Sequence, residues 1–110
     1  MSVGPAYDPS EVRRLARAGQ VIGTGGVQRW LANHDSRLTR EPYDVKETLV
    51  DVLCCVEDGR WTGSCTLNNG EIADEYICVY EEENWYLKFY IDDDEVVVHV
   101  WSCCWDGTVH

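Results

Sequence analysis

The sequence predicts an α+β fold in which N-terminal helices pack on one face of a four-stranded antiparallel meander sheet. Three observations predict it. Apolar residues recur at helical spacing as far as Val56, they alternate with polar residues from Arg60 onward, and the alternating segments are joined by only a few residues each. Short links between successive strands require antiparallel neighbours, and helices that all precede a sheet have one of its faces to cover.

Asp8-Pro9-Ser10-Glu11 reads as a helix start, with Asp8 as the N-cap, Pro9 at the first helical position and Glu11 closing a capping box. Val12, Leu15 and Ala16 form its apolar stripe, and Gly19 stops it. Gln20–Gly23 reads as a brief extended segment before Thr24, which caps a second helix burying Val27, Trp30 and Leu31. The Gly25-Gly26 pair weakens that helix's first turn. Gly23–Gly26 also has the look of an anion-binding turn, but it lacks the lysine and spacing of a phosphate loop, and capping explains it.

His34–Pro42 is polar and reads as a loop. Over 44–56 the spacing predicts a third helix, with Asp44 and Glu47 as a second capping box and Val45, Leu49, Val52, Leu53 and Val56 on one face. Cys54 and Cys55 at its end read as packed thiols. Four strands follow, Arg60–Leu67, Ile72–Tyr80, Trp85–Ile91 and Glu95–Cys103, separated by turns at Asn68–Gly70, Glu81–Asn84 and Asp92–Asp94. The 110 residues are expected to form one domain over 1–110, with 1–7 a flexible N-terminus.

The net charge of -11 and pI near 4.4 predict repulsion from nucleic acid and anionic membranes at low salt. Seven Arg, only two Lys and 20 acids suit a very salty cytoplasm, and a halophilic origin is inferred from them. At about 1 M salt the screening length falls to about 3 Å, so surface acids repel little beyond contact. Met1–Tyr7 lacks the basic start and apolar middle of a signal peptide, so a cytoplasmic location, no membrane partner and reduced thiols are expected. The six cysteines contain no C-x-x-C. Adjacent strand residues point to opposite sides, so Cys103, Cys104, His99 and His110 do not make a convincing metal set. Neither a metal nor another cofactor is expected, and a cysteine nucleophile paired with His99 has no support in the pattern.

The charge is divided unevenly. Met1–Arg60 carries nine acids and eight bases, whereas Trp61–His110 carries eleven acids and one base, Lys88. Along the third strand Trp85, Leu87, Phe89 and Ile91 share one face, and Tyr86, Lys88 and Tyr90 the other. A three-residue turn at Asp92–Asp94 would set Val96, Val98 and Val100 beside the tyrosines and lysine, and His99 on the core face beside Leu87 as a packed histidine. The face carrying Lys88 could stack a nucleobase and hold a phosphate, or it could be an ordinary half-solvated sheet face on which Lys88 neutralises Glu75 or Asp74.

Val12–Val21 (VRRLARAGQV), Val79-Tyr80, Tyr86-Leu87-Lys88-Phe89 and Val96–Ser102 (VVVHVWS) follow in an order that resembles the MqsR-type mRNA interferase toxins of the RelE-like ribonuclease fold. The resemblance runs from about Pro9 to Ser102. It implies a metal-independent endoribonuclease that cuts single-stranded mRNA with the ribose 2′-hydroxyl as nucleophile and is held inactive by a protein antitoxin. It also implies Arg60, Tyr86 and Lys88 as catalytic residues, with Tyr80 and Tyr90 contacting RNA. The family's glutamine ahead of Asp-Val-Tyr has no counterpart near Asp74–Cys78, and its lysine near the C-terminus is replaced around Cys103-Cys104. His99 or His110 could supply proton transfer in their stead.

The acidic turns Glu81–Glu83 and Asp92–Glu95 support an alternative of another class. In it the chain is a non-enzymatic acidic protein that mimics nucleic acid and inhibits a basic partner. Such a mimic has no use for Lys88.

Overall fold

The computed structural model describes residues 4–33 and 45–106. The loop expected over His34–Pro42, the Asp44 cap and His110 therefore lie outside the described residues. The fold is α+β, and among the described residues no helix is long and apolar enough to cross a membrane.

Helix α1 (Pro9–Arg17) starts where the Asp8 carboxylate accepts the Ser10 N–H at 3.0 Å. Glu11 does not close a capping box, because its carboxylate is engaged by Arg14 one turn further on. Gly19, at φ +77°, reverses the chain and lets the Gln20 N–H reach the Leu15 carbonyl at 2.9 Å. This is the Schellman pattern that a glycine after a helix permits. Strand β1 (Val21–Gly23) follows, then α2 (Gly25–Asn33), whose Val27 N–H donates to Thr24 Oγ1 at 3.3 Å. Helix α3 (Val45–Leu53) leads through a 3-10 turn at Val56–Asp58 into the sheet.

Strands β2 (Arg60–Thr66), β3 (Ile72–Tyr80), β4 (Glu83–Asp92) and β5 (Val97–Trp105) pair antiparallel in succession. Among the described residues the sheet has five strands, not four, in the order β1-β5-β4-β3-β2, because Val21–Gly23 adds a parallel edge against Val98–Val100. The extended segment expected over Gln20–Gly23 is this strand, but three residues are too few to reveal that it pairs with β5.

The last turn is also longer than the three residues expected over Asp92–Asp94. Asp92 pairs with Val97, leaving four turn residues instead of three, and Val96 closes the turn at φ +55° with its N–H on the Asp92 carbonyl at 2.7 Å. One extra residue inverts every side chain of the following strand. Val98 and Val100 accordingly enter the core, and His99 stands on the opposite face, paired with Tyr90. A bulge at Trp101 then resets the alternation, so that Ser102 lies opposite Lys88 and Cys104 opposite Tyr86.

The core lies between the helices and one sheet face. Val12, Leu15, Leu31, Val52 and Leu53 meet Trp85, Leu87, Phe89, Val98 and Val100 there, all essentially inaccessible. Trp30, Trp85 and Trp105 contact one another edge to face, with centroids 4.9–6.2 Å apart, and pin α2 to β4 and β5. Tyr80 belongs to this side. Its ring meets Trp85 at 6.1 Å and its hydroxyl donates to Asp51 Oδ2 at 3.3 Å, which removes it from the face carrying Lys88.

The end of the segment before α1 is tied to the sheet at Ala6 and Tyr7. The buried Asp74 carboxylate accepts the Ala6 N–H at 2.9 Å, the Tyr7 N–H at 3.0 Å and the Ser64 hydroxyl at 2.6 Å.

All six cysteines are free thiols. Burial pushes Cys78 up to about 12 and Cys104 to about 11 from the ordinary 9.0, and raises Cys103 as well. A thiol whose native pKa exceeds its unfolded value binds more protons when folded, so stability falls as pH rises from the unfolded value toward the native one. In a reducing buffer the melting temperature should therefore hold below pH 9 and decline steadily from there toward pH 11–12. A flat profile across that window would contradict the burial of these thiols.

Candidate functional site

The face of the sheet away from the helices divides into two parts. Beside the Leu67–Glu71 turn, Leu67, Ala73 and Tyr90 form a small second core with Tyr7, Cys65 and Trp101 packed against it. Tyr90 is only 8 % exposed, its ring stacks on His99 at 4.9 Å, and its hydroxyl accepts from Asn69 Nδ2 at 3.4 Å. It is part of the floor and is not available as a platform for a nucleobase.

The rest is a shelf built from two cross-strand rows, in which Arg60 is exposed, Cys104 is buried and the other residues are half-buried. Arg60, Ile77, Tyr86 and Cys104 are aligned in one row, and Gly63, Glu75, Lys88 and Ser102 in the next. Neighbouring strands lie about 4.8 Å apart, so the Arg60 and Tyr86 backbones are about 10 Å apart across the shelf. The sheet thus brings Arg60, Tyr86 and Lys88 onto one face; Tyr80 lies on the opposite face, and Tyr90, on the same face, is buried in the second core beside the shelf.

Lys88 is half-buried and directly opposite Glu75, yet among the described residues it forms no ion pair. Glu75 instead accepts the Tyr86 hydroxyl at Oε1. Burial raises the Tyr86 phenol first, and the hydrogen bond to Glu75 and the charge of that carboxylate raise it further. Tyr86 therefore stays protonated well into alkaline solution and acts as a donor. On the other side of the carboxylate, a side chain at Gly63 would begin 4.0 Å from Oε2, and Gly63 sits at φ +151° beside a bulge. With a glycine there, no side chain of that residue stands beside Oε2.

An ammonium, an adjacent carboxylate and a neutral phenol thus occupy neighbouring positions, with a guanidinium on the same sheet face beyond Ile77. Such a set can hold an anion and accept a proton beside it. Glu75 is the member that sequence reading treated only as a counter-charge for Lys88. The signal was present, since Glu75 and Ile77 alternate with Asp74, Tyr76 and Cys78, but its use depended on the register with β4. Ser102 falls on this face in either register, but its place opposite Lys88 depends on the longer turn and the bulge at Trp101.

The thiols do not gather around His99. Cys103 is enclosed in the core, and Cys104 lies opposite Tyr86 in the Arg60 row.

No family model, curated protein or solved structure matches this chain. The resemblance to MqsR-type toxins rests on the quoted motifs alone.

Proposed function

We propose that the chain is a metal-independent endoribonuclease that cuts single-stranded RNA on the Arg60–Tyr86–Lys88 shelf and is controlled by a protein antitoxin, as in the RelE-like toxins its motifs resemble. The observation that carries the reading is Lys88, a cation with no ion pair among the described residues, standing next to a carboxylate already oriented by a tyrosine.

In this reading Glu75 Oε2 removes the proton of a ribose 2′-hydroxyl, the 2′ oxygen bonds to phosphorus, and the bond from phosphorus to the 5′ oxygen breaks. The departing oxygen takes its proton from water on the open shelf. Lys88 and Arg60 offset the charge gathering on the phosphoryl oxygens, and Tyr86 keeps the carboxylate in place. The products are a 2′,3′-cyclic phosphate and a 5′-hydroxyl.

The test is incubation of the purified chain with a single-stranded RNA and the DNA of the same sequence, over a salt series reaching molar concentration so that the -11 charge is screened. The RNA should be cut to those ends, the DNA should remain intact, and Lys88→Ala should slow cleavage by about a hundredfold. DNA cleavage, or an unaffected Lys88→Ala, would end the proposal. Nucleic-acid mimicry finds less support, because the turns Glu81–Glu83 and Asp92–Glu95 lie at opposite ends of β4 and form no continuous anionic row.

A further inference from the structure

We propose that Asp92, Glu95 and His99 bind one divalent first-row transition ion, of the zinc or cobalt class, at the turn joining β4 and β5. The site is separate from the shelf: Asp92 is four residues beyond Lys88 on β4, about 13 Å along the strand.

Three ligand atoms, one from each residue, lie within 4.8 Å of one another. His99 Nε2 is 3.9 Å from Asp92 Oδ2 and 3.9 Å from Glu95 Oε2. Those separations are too long for hydrogen bonds. Ligands sharing one ion at about 2.1 Å stand roughly 3.0–3.4 Å apart, so each carboxylate must move under about 1 Å nearer the imidazole, and the two carboxylate oxygens must close on each other by at most about 1.8 Å. Glu95, whose side chain is 62 % exposed, has the freedom to make it.

The imidazole is prepared for a ligand. Its Nε2 is shut off from solvent and has no hydrogen-bond partner, a state that is costly for a polar atom unless something fills it. Stacking on Tyr90, with the rings 8° from parallel, fixes the direction in which it points. Asp92 is oriented as well. Its Oδ1 accepts the Asp94 and Glu95 N–H groups at 3.0 and 3.3 Å, which leaves Oδ2 turned toward His99.

The ligand set selects the ion. Imidazole disfavours magnesium and calcium, and the absence of thiolate from the set disfavours copper(I). Four acids in succession, Asp92–Glu95, repel one another at this turn, and a divalent cation would cancel that repulsion.

The test is a cobalt(II) titration of the full chain with its thiols kept reduced by a phosphine. One equivalent should bind, giving visible ligand-field bands without the near-ultraviolet charge transfer of a thiolate ligand. His99→Asn and Glu95→Gln should each weaken binding at least about tenfold. Glu95→Gln alters a mostly exposed side chain, so its effect cannot be ascribed to unfolding. Thiolate charge transfer, affinity unchanged in both variants, or no saturable binding would each overturn the site. RNA cleavage is not a readout here, so the result stands or falls independently of the ribonuclease reading.

Discussion

Replacing Trp85 by alanine is expected to destabilise the fold by about 3–5 kcal/mol, against a total stability on the order of 5–15 kcal/mol for a domain of this size. Trp85 is 1 % exposed, meets Trp30 at 5.7 Å, Trp105 at 6.2 Å and Tyr80 at 6.1 Å, and donates its indole N–H to the Tyr80 carbonyl at 3.1 Å. Truncation leaves a cavity where α2, β3 and the end of β5 converge. It also strands the edges of three rings that the indole had met. In urea denaturation the midpoint should fall sharply while the slope is preserved, which is the signature of lost stability without a changed unfolded state. Trp85→Phe should recover part of the loss, because the ring packing survives and only the hydrogen bond and some volume are removed. A loss below about 1 kcal/mol for Trp85→Ala would mean that α2 is not held to the sheet as described.

The same strand explains how much of the molecule could be read from sequence. In β4 the strict alternation of Trp85, Leu87 and Phe89 with Tyr86, Lys88 and Tyr90 identifies the strand and assigns its two faces without coordinates, since only one of those sets can meet helices. Helix α1 is legible for a similar reason: Asp8, Pro9 and Gly19 mark its ends chemically. Where reading failed, geometry was decided by a residue whose type argues against it. Val96 adopts a left-handed backbone that β-branched residues avoid, so nothing in Asp92–Val96 announces a four-residue turn. From that single residue came the inverted faces of β5, the misplacement of His99 in the core and the missed approach of His99 to Asp92 and Glu95. A counter-signal was available. Val98 and Val100 flank His99, and a pattern of apolar, polar, apolar already favours two buried valines with the histidine outside. The pairing of β1 and the bulge at Trp101 are of another kind: the extended Gln20–Gly23 is legible, but its place beside β5 and the bulge against β4 are set by packing and carry no pattern of their own.

Glu75→Gln is expected to separate binding from chemistry on the shelf. If Glu75 is the proton acceptor, its amide cannot serve as a base, and the cleavage rate at saturating RNA should fall by about a thousandfold, within the range attributed to general bases. RNA affinity should move the other way. The substitution removes a negative charge directly opposite Lys88 and preserves the shape that fills the space between Tyr86 and Gly63. A phosphate should therefore bind more tightly to the variant, and more so at low salt, where the lost repulsion is least screened. A residue that only supported the strand would not produce this pair of changes, since loosening the shelf weakens both steps. Tyr86→Phe supplies the complementary arm: it keeps the carboxylate and its charge but releases Oε1, so cleavage should drop with affinity nearly unchanged. Single-turnover cleavage alongside RNA binding measured by anisotropy distinguishes these outcomes. An undiminished rate in Glu75→Gln would remove the carboxylate from the chemistry, and a rate lost together with affinity would reduce Glu75 to a structural partner of Tyr86.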